Sequence, residues 1–147
     1  MTTTQFYHLT ATPLERALPK LLEKIYAGGY RTLLVAESDE RAEQLSQLLW
    51  TYDPDSFLPH GSSKDGHAEL QPILLSADHV PANGTTLLFI TDGRAMAGDF
   101  ERVVDMFDGN DASATQAART RWKAYKEAGH TLTYFKQTES GGWEKQG

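Results

Sequence analysis

The chain has 147 residues, 39% apolar and 23% charged, with 14 basic and 20 acidic side chains and a net charge of −6. This supports one cored domain, leaves no room for two, and excludes wholesale disorder; the negative balance argues against a general coat for nucleic acid, whose phosphates would repel it. No cysteine is present, which excludes disulfides, thiol catalysis and cysteine-ligated zinc.

Apolar runs reach about six residues, far short of the ~20 that span a bilayer. The N-terminus, MTTTQFYHL, lacks a basic segment followed by an apolar one. The chain therefore reads as soluble and cytoplasmic.

Gln5 to Leu9 reads as a strand. Thr12, Pro13 and Glu15 look like a helix start, with Thr12 as the cap and Pro13 in the first turn. Leu14, Leu18, Leu21, Leu22 and Ile25 recur at helical spacing, and Gly28-Gly29 ends the helix. Pro19 implies either a kink or a main helix that begins there.

Thr32 to Ala36 is a compact apolar run, the pattern of a strand covered on both faces. Ser38 or Asp39 caps the next helix, whose buried side is Ala42, Leu45, Leu48 and Leu49, up to Trp50. Asp53 to Gly66 is rich in Pro, Ser and Gly and reads as a loop. Ile73 to Ser76, Thr86 to Ile90 and Val103 to Phe107 are further strands. Asp111 or Ser113 opens a helix to Ala128, and Thr131 to Phe135 is a last strand. The segment after Lys136, with Gly141-Gly142, is expected to fray as a flexible tail (137–147) behind a domain of residues 1–136.

Alternating strands and helices predict an α/β three-layer sandwich, with helices on both faces of a mixed, mostly parallel sheet. The short Ile73 to Ile90 pair, with no helix between, suggests that the sheet is mixed.

Such a sheet raises the question of nucleotide binding. No glycine-rich phosphate loop is present: Thr10-Ala11-Thr12-Pro13 follows the first strand, and Gly61 to Gly66 has its lysine in the wrong place. The five histidines, His8, His60, His67, His79 and His130, lack the i, i+4 spacing of a zinc enzyme; His60 and His67 share a loop near Asp65, a weak metal arrangement, but read better as solvated loop imidazoles. Neither metal nor cofactor is expected. Asp53 with Asp55, and Asp92 with Asp99, read as turn caps and solubilising groups.

The final helix carries the clearest constellation. Arg119, Trp122, Lys123 and Lys126 fall at i, i+3, i+4 and i+7 and share a face. Ala114, Ala117, Ala118, Arg121, Tyr125 and Ala128 fall on the other side, facing the sheet, so Trp122 is expected to project away from the core. A tryptophan framed by cations suits a partner both acidic and apolar; equally, Trp122 could cover a neighbouring loop beneath a solvated surface. Trp50, Tyr52 and Phe57 form a second aromatic group, which either borders a binding surface or seals the core. Charge is polarised: Asp92 to Asp111 holds six acids against Arg94 and Arg102, whereas Arg119 to Lys126 holds four bases and no acid. Distinct interaction faces fit this better than one enzyme cleft.

Four stretches together resemble the chi subunit of bacterial DNA polymerase III: Phe6-Tyr7-His8-Leu9; LLWTYDPDSFLPHG (Leu48 to Gly61); Gln71-Pro72-Ile73-Leu74-Leu75; and ARTRWKAYKEAGHTLTYF (Ala118 to Phe135). The resemblance covers Phe6 to Phe135; Asp78 to Gly98 and the segment after Lys136 are not diagnostic. It implies a non-catalytic accessory protein of the replicase, with a fold like nucleotide-binding α/β proteins but no phosphate loop. It implies two partners: the psi subunit of the clamp loader, and the acidic, phenylalanine-ended C-terminal tail of single-stranded DNA-binding protein. By position, the tail-binding residues it implies are Arg119 and Trp122 together with Trp50 and Phe57, with Lys123 and Lys126 as supporting cations. Trp122 stands where a tyrosine is found elsewhere in the family. No membrane contact is expected, and no direct contact with nucleic acid. The alternatives are a small-molecule or nucleotide-binding enzyme, suggested by the sheet class alone, and direct binding of single strands by the basic helix.

Overall fold

The computed structural model describes residues 2–53, 58–62, 67–78, 83–94 and 100–146. Its strands are β1 (Thr3–Leu9), β2 (Thr32–Val35), β3 (Gly61–Ser62), β4 (Ile73–Ser76), β5 (Leu87–Ile90), β6 (Arg102–Asp108), β7 (Thr131–Gln137) and β8 (Trp143–Gln146). The α-helices are α1 (Leu14–Ala27), α2 (Asp39–Thr51) and α3 (Ala112–Glu127). Among the described residues these strands form one sheet in the order β3-β4-β2-β5-β6-β1-β7-β8, parallel except for the antiparallel pair β7–β8. The expected α/β sandwich with a mixed, mostly parallel sheet is present.

The sheet is mixed as expected, but the short β4 to β5 pair is not the source of the mixing. β4 and β5 both run parallel to β2 and lie on either side of it. The antiparallel strand comes instead from the segment expected to fray. There Trp143 packs edge-on against Tyr7, with centroids 5.0 Å apart, and its strand pairs with β7 from Tyr134 to Gln137. An aromatic anchor in a short polar stretch supplies enough apolar contact to hold an edge strand. Gly61–Ser62 likewise extends the sheet from within the expected loop.

Strand alternation divides the side chains between two faces. Tyr7, Leu9, Leu34, Ile73, Leu75, Leu87, Phe89, Val104 and Met106 pack on one face beneath Leu18, Leu22 and Ile25 of α1 and Leu45 and Leu49 of α2. Phe6 and Phe107 point the other way and meet Ala118 and Tyr125 of α3. Pro19 lies within α1, which runs unbroken from Leu14. Thr12 is not its cap: Pro13 holds that position, and the Thr12 hydroxyl accepts from Gln137 Nε2 at 2.8 Å. Ser38 caps α2 by accepting from Arg41 N, and Asp111 caps α3 by accepting from Ser113 N and Ala114 N.

Gln137 determines the loop after β1. Its Oε1 accepts from the backbone N–H groups of Thr10, Ala11 and Thr12 at 2.9–3.1 Å. The donors that α/β folds commonly offer to a phosphate are here satisfied by the protein's own carboxamide.

Candidate functional site

The placement of α3 begins with Arg121. Its guanidinium donates from Nε to Asp105 Oδ2 at 2.6 Å, from Nη2 to Asp105 Oδ1 at 2.9 Å and from Nη1 to the Gly93 carbonyl at 2.8 Å. Both charged partners are buried. Burial pushes the Asp105 carboxyl above the usual carboxylate range, and the Arg121 hydrogen bonds and charge pull against it. With Arg121 facing the sheet, Ala118 and Tyr125 are buried on the same side, whereas Ala117 and Ala128 are exposed.

Trp122 does not project away from the core as expected. It is half-buried and meets Phe6 edge-on at 5.4 Å and Tyr134 edge-on at 5.7 Å. The reason is angular: Ala118, Trp122 and Tyr125 stand at i, i+4 and i+7, so the indole falls on the flank of the buried stripe. Arg119, three residues earlier, is exposed. Together with Phe107, Ala118 and Tyr134, these two residues line a cavity of about 230 Å³ between α3 and the sheet. Among the described residues Arg119 forms no ion pair.

His8 underlies one wall. Its ring lies 5.0 Å from Phe107 and 5.8 Å from Tyr134, and its Nδ1 is hydrogen-bonded to the Tyr134 hydroxyl. Burial, then the charges of Lys136 and Arg119, hold the imidazole below its ordinary value, with Asp108 opposing. Burial raises the Tyr134 phenol, with Arg119 opposing. The ring is accommodated because residue 109 is glycine: a Cβ there would lie 2.0 Å from His8 Cδ2 and Nε2 and 2.5 Å from the Leu9 carbonyl oxygen.

The site therefore has an aromatic wall, an apolar floor and an exposed guanidinium that forms no ion pair among the described residues. Lys123 and Lys126 are exposed along the same helix, and Lys136 on β7 adds a further cation. A planar guanidinium can take a carboxylate in bidentate fashion while the aromatic walls bury a ring. Phe107, Tyr134, His8 and Lys136 were not read from the sequence as site residues. Once β1, β6 and β7 are known to be adjacent, their alternation places all four on the α3 face.

Trp50 is elsewhere. It lies in the last turn of α2, which packs on the opposite face of the sheet against β3 and β4. β2, β5 and β6 separate those strands from β1 and β7. The indole is 47% exposed and lies over the His60 ring at 4.2 Å. A single notch holding Trp50 with Arg119 and Trp122 is ruled out. Phe57 lies outside the described residues. His60 is not a solvated loop imidazole. It is buried, with Nδ1 2.6 Å from the Leu58 carbonyl oxygen and Nε2 2.8 Å from that of Ser46, and so forms a platform beneath Trp50.

Much of the acidic stretch Asp92 to Asp111 is structural. Asp105 binds Arg121, Asp92 pairs with Arg94, Asp108 accepts from Asn110 N at 2.9 Å, and Asp111 caps α3. Among the described residues no group of three or more His, Asp and Glu is placed to hold a metal ion, and no helix is long and apolar enough to cross a membrane.

Residues 1–133 match the family model described as DNA polymerase III chi subunit, HolC. Among curated proteins, the "Probable DNA polymerase III subunit chi" of Rickettsia prowazekii (strain Madrid E) is 30% identical over 84 residues, 57% of this chain and 51% of that protein. The DNA polymerase III subunit chi of Escherichia coli (strain K12) is 28% identical over 81% of this chain and 82% of its own length. That of Haemophilus influenzae (strain ATCC 51907 / DSM 11121 / KW20 / Rd) is 27% identical over 89% of this chain and 94% of its own length.

Proposed function

Because the chain belongs to the DNA polymerase III chi subunit family, we propose that it is a non-catalytic accessory subunit of the replicative polymerase. In this role it is associated with the clamp loader and captures the acidic, phenylalanine-ended C-terminal tail of single-stranded DNA-binding protein. The observation that carries the reading is the α3 cavity, where Arg119, which forms no ion pair among the described residues, lines a pocket walled by Trp122, Phe107 and Tyr134. A terminal carboxylate fits the guanidinium and the phenyl ring fits the aromatic wall. Lys123 and Lys126, with Lys136, attract the acidic residues upstream, which raises the association rate and makes it salt-sensitive.

Trp50 has no place in this pocket, and the reading rests on Arg119 and Trp122 without it. The affinity is on the order of micromolar, because ordering a flexible tail costs entropy. Several tails on one coated strand offset this by avidity. The protein then works as a tether, holding the replicase to protein-coated single strands without touching DNA. The psi subunit of the clamp loader is its expected second partner. The nucleotide-binding alternative is disfavoured by Gln137, which takes up the loop N–H groups that a phosphate would need.

The test is titration of the full chain with a labelled acidic peptide ending in phenylalanine. Binding should weaken by about 1–3 kcal/mol in Arg119→Ala and by a similar amount when the peptide's terminus is amidated. Absence of binding, or an affinity indifferent to both changes, overturns the reading.

A further inference from the structure

A second cavity, of about 260 Å³, lies on the opposite face of the sheet, at the N-terminal ends of β1, β5 and β6. Its position follows from the fold. α1 crosses β6, while Trp143 and Phe135 cover Tyr7 from the other side, leaving the first half of β1 between them. Leu21 and Ile25 of α1, with Leu87 and Val104, make the apolar floor, and the Tyr30 ring forms a wall. Two cations line it, Lys24 from the last turn of α1 and Arg102 from the start of β6, and among the described residues no carboxylate does. The Arg102 guanidinium lies 5.2 Å from the centre of the Tyr30 ring. Among the described residues neither cation forms an ion pair. Gln5 Oε1 accepts from the Tyr7 hydroxyl at 3.4 Å, which leaves the Gln5 amide hydrogens and the Thr3 hydroxyl as further donors.

In a chain of net charge −6, an entirely cationic cavity is a local reversal of potential. Apolar floor, aromatic wall, two positive charges and uncharged donors are the complement of an amphiphilic anion. We propose that this cavity is a second binding site, for a carboxylate carried on a single aromatic or aliphatic body. The carboxylate meets Arg102 and Lys24, the body lies on Leu21, Ile25 and Tyr30, and Gln5 donates to the remaining carboxylate oxygen. The site is separated from Arg119 by the thickness of the sheet and does not depend on tail binding there. Its ligand is either a free organic acid or the end of a polypeptide.

The test uses the full, isotope-labelled chain and amide NMR spectra, with N-acetylphenylalanine as probe. Saturable shifts are expected at Thr3, Gln5, Arg102 and Val103. Affinity at these signals should fall about tenfold in Arg102→Gln and in Lys24→Gln, as for loss of one charge-assisted contact, and should persist in Arg119→Ala. Both glutamine substitutions are at solvent-accessible positions, and an otherwise unchanged spectrum confirms the fold. N-acetylphenylalaninamide should bind at least as poorly as the variants do. An acidic phenylalanine-ended peptide separates the sources: shifts at the same signals assign a chain terminus, and shifts with the free acid alone assign a small molecule. Changes confined to the surroundings of Arg119, equal binding of the amide, or unaltered affinity in both glutamine variants overturn the proposal. The last result would leave the Arg119 reading intact.

Discussion

Arg121 and Asp105 form a bidentate, fully enclosed ion pair that fixes the rotation of α3 on the sheet. That rotation places Arg119 at the mouth of the α3 cavity and Trp122 on its wall. Removing one member leaves the other charge buried without a partner. Arg121→Ala should therefore lower the free energy of unfolding by about 3–5 kcal/mol, measured by urea denaturation. The combined replacement Arg121→Met with Asp105→Leu should cost much less, because no orphaned charge remains. Equal losses in the two variants would show that the pair contributes packing and not charge compensation.

The separation of Trp50 from Trp122 gives a sharper prediction. If the tail binds only at α3, Trp122→Ala costs about 1–3 kcal/mol of peptide affinity and Trp50→Ala costs none. Fluorescence anisotropy on the two variants decides this. A comparable loss in Trp50→Ala would require the tail to reach around the sheet edge to the His60 platform, and the one-pocket account would fail.

These two tryptophans also show what the sequence makes legible. The α/β class, the helix stripes and the capping residues Ser38 and Asp111 are local signals, set by periodicity and by hydrogen bonds spanning three residues. Strand order is not local. Nothing in Phe6-Tyr7-His8-Leu9 states that Phe107 and Tyr134 become its neighbours, so the walls of the cavity emerge only with the register. Grouping Trp50 with Arg119 followed from position in a family pattern, which carries no information about which face of the sheet a helix covers. Trp122 turns inward for a smaller reason. A helical wheel divided into two halves assigns a flanking residue to one side, whereas a large indole at the boundary packs inward whenever aromatic partners await it.

Gln137 tests the loop after β1. Its carboxamide oxygen satisfies three backbone donors, and its Nε2 donates to Thr12 Oγ1 at 2.8 Å. In Gln137→Ala these groups are left to whatever water can enter. The expected destabilisation is about 1–3 kcal/mol, by thermal denaturation, with faster hydrogen exchange at Thr10, Ala11 and Thr12. Gln137→Glu keeps the acceptor and should recover the exchange protection. Unchanged exchange in the alanine variant would mean that the loop does not depend on this side chain.

If the tail docks on Arg119, its binding should depend on pH through His8. Its imidazole lies below the ordinary value of 6.5 because of burial, then the Lys136 and Arg119 charges, with Asp108 opposing; Tyr134 is its hydrogen-bond partner. In the window between the unfolded and folded values, the unfolded chain holds a proton that the folded chain does not. The stability linked to His8 is thus complete above about pH 6.5 and is lost as pH falls through the folded value. A carboxylate docked on Arg119 reverses the local field and raises the His8 value, so binding takes up a proton. Peptide affinity should therefore increase as pH falls from about 8 towards 5.5, where a terminal carboxylate (ordinary value ~3.5) remains ionised. His8→Leu should abolish this slope while retaining the Arg119 contact. Isothermal titration in two buffers of different ionisation enthalpy measures the proton uptake directly. A proton count of zero in the native chain, or the same count in His8→Leu, would remove His8 from the site.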